Sequence, residues 1–222
     1  MFFDSMDKRK IIKEVENCVK KELAGDSTGH DWWHIRRVRQ MAKVVAEKEG
    51  GDLFVIELAA LLHDIADWKF NDGDEKAGSK KTKDLLEGLG INEEIIKQVG
   101  EIVDNVSFKG AGVENKIKTK EGMIVQDADR LDVIGAIGAA RIFAYGGSVG
   151  REIYDPNIKP KFHKTFEDYK KNKSSSINHF YEKVLLLKDR LNTKTARKIA
   201  VQRHKFLEKY LEQFFKEWEG AA

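Results

Sequence analysis

His63 and Asp64 close the apolar run Val55-Ile56-Glu57-Leu58-Ala59-Ala60-Leu61-Leu62. An imidazole beside a carboxylate, directly after a stretch that should pack in a core, is costly to bury unless the pair is satisfied by partners or by a metal. Two matching groups stand elsewhere in the chain. His34 lies in Gly29-His30-Asp31-Trp32-Trp33-His34-Ile35-Arg36-Arg37-Val38, and Asp129 in Gln126-Asp127-Ala128-Asp129-Arg130-Leu131-Asp132. Two imidazoles and two carboxylates suit a borderline-to-hard divalent ion such as Mn²⁺, Fe²⁺, Co²⁺ or Zn²⁺. On a six-coordinate ion such a set leaves positions for water or a phosphate oxygen. An ion so placed lowers the pKa of its water and neutralises phosphoryl charge. The expectation is a metal-dependent hydrolase.

Further residues could serve this chemistry. Asp67 falls three positions after Asp64 and one turn beyond His63, where a carboxylate that does not ligate can act as general base; Asp64 is both ligand and catalytic candidate. Lys109 and Arg130 are candidates for holding phosphate oxygens, although an arginine beside an aspartate is often only an ion pair. His30 shares a helix face with His34 at i, i+4 and is read as a partner or substrate contact rather than a ligand. Asp127 or Asp132 could hydrogen-bond a ligand histidine from behind. His163, His179 and His204 lack ligand spacing; His179, in Asn178-His179-Phe180-Tyr181, is a candidate substrate contact. Trp32, Trp33 and Trp68 bracket the site and read as core and wall rather than as a stacking platform.

The elements that must position these groups are helical, because no sustained period-2 run bounded by turn residues occurs. Amphipathic segments are predicted at about 4–24, 31–48 (with apolar Trp33, Val38, Met41, Val44 and Val45, and His34 in mid-helix) and 52–66, the last opened by Asp52 as N-cap. Helices follow at about 75–89, 92–106 and 123–145, then at 176–191 and 193–219. The stretch 108–118 reads as loop, and 150–172, which holds Pro156 and Pro160, is the least regular part. The 222 residues suffice for one all-α domain, with a metal-binding core at about 25–145 and a helical extension at about 150–222.

Composition narrows the class. The lone Cys18 excludes an internal disulfide, sits in the pattern Ile11-Ile12-Val15-Val19-Leu23 and reads as a small core residue. No apolar run approaches the ~20 residues of a membrane span, and the first ten residues lack a signal core, so a cytoplasmic protein is expected. Net charge is +3 but uneven: residues 157–205 hold 14 Lys/Arg against 4 Asp/Glu, and residues 1–156 hold 24 against 29. That basic segment is a solvated surface or a means of steering an anionic substrate. Nucleic acid is disfavoured as a partner, since the lysines are not interleaved with aromatic residues.

His34, His63-Asp64 and Asp129 resemble the H…HD…D signature of the HD-domain superfamily of metal-dependent phosphohydrolases. Gly-His-Asp-Trp-Trp-His-Ile-x-Arg-Val, Leu-Leu-His-Asp-Ile-Ala-Asp-Trp-Lys and Asp-Ala-Asp-Arg-Leu-Asp-x-Ile-Gly-Ala-Ile-Gly are similar to the small stand-alone HD hydrolases of bacteria and archaea. The likeness runs on through Ser-Ser-Ile-Asn-His-Phe-Tyr-Glu-Lys and Arg-His-Lys-Phe-Leu-Glu. It implies an all-helical HD-type bundle with one divalent ion on His34, His63, Asp64 and Asp129; Mn²⁺ is favoured, with Mg²⁺, Co²⁺, Fe²⁺, Zn²⁺ or Ni²⁺ as alternatives. It further implies Asp67 as the acidic catalytic residue and hydrolysis of nucleoside triphosphates to monophosphate and pyrophosphate. The extra histidines of two-metal HD phosphodiesterases are missing, and Asp104 stands roughly where one would fall.

Competing expectations are a nucleoside 5′-monophosphate phosphatase or other phosphoester hydrolase using the same site, and a non-catalytic helical module that binds a nucleotide or nucleic acid. The long terminal amphipathic helix could pack on its own domain or on a second copy in a homodimer.

Overall fold

A computed structural model describes residues 5–25, 29–66, 76–165, 167–168 and 174–221. Among these the chain is all-α: α1 (Ser5–Glu22), α2 (Trp32–Glu49), α3 (Leu53–Leu62), α4 (Ala77–Gly88), α5 (Glu93–Asn105), α6 (Lys120–Val133), α7 (Ala136–Ser148), α8 (Ser176–Glu182), a 3₁₀ helix (Val184–Arg190) and α9 (Lys194–Trp218). The described residues cluster in two compact units. One comprises 5–25, 30–66, 76–108 and 115–129; the other comprises 29, 109–114, 130–165, 167–168 and 174–221. No helix among them is long and apolar enough to cross a membrane.

In the first unit α3 is the central element, packed against α1, α2 and α5, while α4 lies on α5. Phe54 to Leu62 are all buried, so past its exposed first residue, Leu53, this helix has no solvent face. Burying side chains such as Ile56, Leu58, Leu61 and Leu62 contributes roughly 2 kcal/mol each. Asp52 starts α3 as foreseen, accepting from the Phe54 and Val55 amides. Ile11, Ile12, Val15 and Val19 of α1 join the same core. Cys18, expected in that core, is only half-buried.

Four expectations about these helices need correction. The α2 face against the core is His34, Ile35, Val38, Ala42 and Val45. Trp33 is 58% exposed and Val44 42% exposed, because each lies on the arc away from that face. His34 is not in mid-helix but the third residue of α2, and the α-helical part of α3 ends at Leu62 rather than Ala66. Its last turn tightens through the Ile65 amide donating to Leu62 O at 3.1 Å. Finally, the segment expected as one helix at 123–145 is two, because Gly135, with φ of 106°, breaks it between α6 and α7.

Glu57 is the one acid on the buried α3, and it is answered by α2. Arg39 Nε and Nη2 donate to Glu57 Oε2 at 2.9 and 2.6 Å, and Lys43 Nζ lies 3.1 Å from Oε1. Arg39 Nη1 also donates to Glu16 Oε2 of α1 at 3.3 Å, so one guanidinium ties three helices together.

In the second unit α8 and α9 both pack on the 3₁₀ helix and on α7. Polar anchors hold its irregular stretch: Asn178 Nδ2 donates to Ile158 O at 2.6 Å and Glu182 Oε1 accepts the Lys161 amide at 3.0 Å. The turn into α7 leaves no room at Gly138, where a Cβ would stand 1.8 Å from Val133 O.

Two substitutions probe these features. Replacing Arg39 by Met leaves the Glu57 carboxylate buried with only Lys43 beside it, and urea titration should show a loss of about 3 kcal/mol. Arg39→Lys should recover part of that loss, and an unmoved midpoint for Arg39→Met would rank the pair with surface ion pairs. Gly138→Ala must displace backbone, so its thermal midpoint should fall by an amount equivalent to about 3 kcal/mol.

Candidate metal centre

Local structure delivers each donor. Asp31 caps α2, its Oδ1 accepting the His34 amide at 2.9 Å, which fixes His34 in the first helical turn. His63 is the C-cap of α3, and its Nδ1 lies 2.9 Å from Ala60 O. A carbonyl only accepts, so Nδ1 carries a proton and His63 presents Nε2 to the site. The tightened turn after Leu62 then presents Asp64 as well, although residues 100° apart on an ideal helix would diverge. Asp129 comes from α6.

The donor atoms converge. His34 Nε2 lies 3.1 Å from His63 Nε2, 3.3 Å from Asp64 Oδ2 and 3.6 Å from Asp129 Oδ1. His63 Nε2 lies 3.6 Å from Asp64 Oδ2 and 3.9 Å from Asp129 Oδ1. Donors about 2.1 Å from a shared ion, at bond angles from octahedral to widened tetrahedral, stand roughly 3.0–3.9 Å apart. His34, His63 and Asp129 therefore form a group that could hold one divalent ion, with Asp64 Oδ2 close to both imidazoles. His34, His63 and Asp64 are buried, whereas Asp129 keeps 21% of its side chain exposed, so the set opens on the Asp129 side.

Electrostatics agree with an anionic Asp64. Burial pushes its carboxyl pKa up, but the neighbouring His63 and His30 charges and hydrogen bonds from His30 and His34 outweigh that and hold it well below the usual carboxylate range. His30, expected as a substrate contact or partner, has its Nδ1 2.8 Å from Asp64 Oδ2. Together with His34 and Asp64 it forms a second group of donors within metal-binding reach.

Asp67 and Trp68 lie outside the described residues. Lys109, Arg130 and His179 belong to the second unit, where Arg130 Nη1 donates to Arg190 O. Asp132 of the same unit accepts Arg141 Nη1 at 3.0 Å. His163 and His204 are buried in that unit. Two contributors were not foreseen. One is the Ala60 carbonyl, whose signal was only the position of His63 one turn later at a helix end. The other is Gln126, one turn before Asp129 on α6. Its amide pairs with Asn115 at 2.9 and 3.0 Å and reaches the carbonyls of Asn105 and Val106 at 3.3 Å, which fixes the rotation of α6.

Metal binding followed by calorimetry tests this arrangement. Mn²⁺ should bind the chain at one site, and His63→Ala or Asp129→Ala should abolish the isotherm. His30→Ala, which removes the hydrogen bond to Asp64, should weaken binding roughly 10–100-fold. Unchanged affinity in His63→Ala would remove that residue from the ligand set.

Comparisons with known proteins converge on one family. The HD domain matches residues 32–134, which include all four donors. The Bacillus subtilis (strain 168) protein YpgQ is 36% identical over 216 residues, 97% of each chain. Its crystal structure in complex with ADP superposes with a TM-score of 0.75 at 35% identity, covering 96% of this chain and 97% of that one. An HD-superfamily hydrolase from Bacillus thuringiensis is 47% identical, with a TM-score of 0.72 and coverage of 96% and 98%. A crystal structure from Lactobacillus plantarum gives a TM-score of 0.86 at 34% identity, covering 99% and 100%. With its helical fold, its H…HD…D residues and relatives similar over nearly its whole length, this chain belongs to the HD-domain superfamily.

Proposed function

We propose that this HD-superfamily hydrolase cleaves nucleoside triphosphates to nucleoside monophosphate and pyrophosphate, with Mn²⁺ as the favoured ion. The observation that supports the hydrolytic part is the gathering of two imidazoles and two carboxylates round His34, with Asp129 partly exposed, groups that could hold an ion and leave room for a phosphoryl oxygen. The ADP complex of the similar YpgQ supports a nucleotide as the ligand.

His34, His63, Asp64 and Asp129 would hold the ion. When bound, a divalent ion in such a site lowers the pKa of water and neutralises charge on the phosphoryl oxygens. The Ala60 carbonyl keeps His63 in the ligating tautomer, and His30 keeps Asp64 turned inward. Asp67, three residues past Asp64 in sequence, is the carboxylate proposed to accept the proton of the attacking water. The water oxygen bonds to the α-phosphorus, the bond from that phosphorus to the bridging oxygen of the β-phosphate breaks, and pyrophosphate leaves with the electron pair.

A panel of metals against mono-, di- and triphosphates, read by separating products, tests this reading. Pyrophosphate and nucleoside monophosphate should appear with Mn²⁺, and Asp64→Ala should fall to background. Asp67→Asn should lower kcat roughly 10²-fold or more while leaving Mn²⁺ affinity near that of the wild type. Release of nucleoside and phosphate instead would make the enzyme a monophosphatase, and no turnover with any ion would end the catalytic reading.

A further inference from the structure

His30 reaches the metal centre from outside any helix. It stands one residue before Asp31, the N-cap of α2, so the hydrogen bonds of that helix do not fix its backbone. Its imidazole is nonetheless placed, with Nδ1 2.8 Å from Asp64 Oδ2. Asp31 supplies a restraint on the following side, where its Oδ1 accepts the His34 amide at 2.9 Å. The preceding residue is Gly29, whose φ of 88° is a conformation that glycine adopts at little cost and that other residues rarely adopt. Glycine brings backbone freedom to that turn, and the freedom must be removed if His30 is to stay on Asp64.

Arg141 of α7 removes it. Its Nε donates to Gly29 O at 2.7 Å, and its Cγ and Cβ lie 3.3 and 3.4 Å from where a Cβ at Gly29 would stand, so the side chain runs along the turn. The guanidinium is itself held: Nη1 donates to Asp132 Oδ2 of α6 at 3.0 Å, with the arginine side chain 13% exposed and the aspartate 7%. Nε and Nη1 belong to one planar fork, so a single rigid group grips a carboxylate and a carbonyl together. Gly29, Asp132 and Arg141 group with the second unit, and His30 with the first. The peptide bond between Gly29 and His30 passes the restraint along the chain. Because that bond is planar, the direction of the Gly29 carbonyl sets the plane that contains the His30 nitrogen and Cα.

We infer that Arg141 is a positioning residue of the metal centre: through the Gly29 carbonyl it sets the peptide plane that carries His30, and so the imidazole that holds Asp64. The inference rests on the metal-centre reading above and deepens it. A restraint two contacts removed from the ion contributes no ligand. It pre-organises one, so its loss should show as weaker metal binding with the ligand set intact.

A double-mutant cycle read by metal binding tests this route. Mn²⁺ is titrated by calorimetry into the wild-type chain, Arg141→Lys, His30→Ala and the double variant. Lysine keeps a charge for Asp132 but cannot grip the carboxylate and the carbonyl with one planar fork. The expected result is that Arg141→Lys weakens Mn²⁺ roughly tenfold in the wild-type background. In the His30→Ala background the same change should cost less than about twofold, because the imidazole through which Arg141 acts is gone. Equal losses in both backgrounds overturn the inference, since Arg141 then acts on the fold at large. Unchanged affinity in Arg141→Lys overturns it too, while leaving the metal centre and the hydrolase standing. A His30→Ala chain that binds Mn²⁺ like the wild type removes the link through which the restraint would pass. A wild-type chain that binds no Mn²⁺ overturns both the metal centre and this inference. None of these outcomes depends on which nucleotide is cleaved.

Discussion

Lone pairs crowded into a dry space are the constraint on which the first unit is built. His63 Nε2, oriented by the proton that Nδ1 gives to Ala60 O, faces His34 Nε2 at 3.1 Å, with two carboxylates closing round them. Neighbouring electron-rich atoms in low dielectric repel one another and cannot be relieved by water. A proton shared between the imidazoles relieves one contact of the set, whereas a dication relieves all of them. This is why the donors carry a functional argument that composition alone does not. Asp64 is held ionised against the cost of burial by charge and hydrogen bonds from the imidazoles around it.

Such an arrangement survives only if the helices that bear it cannot relax apart. The α2–α3 pairing is held by apolar burial and by Arg39, whose guanidinium grips Glu57 on α3 and Glu16 on α1. Arg39 stands on the far edge of the α2 arc from the metal side, so the clasp leaves the centre open. On α6, the reciprocal amide pair of Gln126 and Asn115 fixes helix rotation one turn before Asp129. Buried polar groups of this kind add modest net stability, but their directionality selects one orientation of the helices.

Much of this was legible in the residues. The helical class followed from periodicity and from prolines confined to Pro156 and Pro160, and the Asp52 cap from residue type and place. The apolar run ending in His-Asp signalled buried polar groups that need a partner. Less legible were the boundaries. One helix was expected where Gly135 makes two, because a glycine inside a helical pattern is ordinarily tolerated and only its φ of 106° reveals the break. Trp33 was counted on the apolar face, since residue type suggests burial while the arc on which it sits points away from the core.

Sequence by itself determined the chemistry of the centre: which groups can donate lone pairs, that they are too costly to bury alone, and that a divalent ion would satisfy them. Tertiary structure decided the rest. It brought atoms 29 positions apart, on His34 and His63, to 3.1 Å, set the tautomer of one through a carbonyl a turn away, and turned His30 onto Asp64. The reason is that residue types and local periodicity fix what each segment can offer, while distances between donors depend on how helices pack and rotate. That packing is set by the whole core at once, through burial and a few directional contacts such as Arg39 with Glu57.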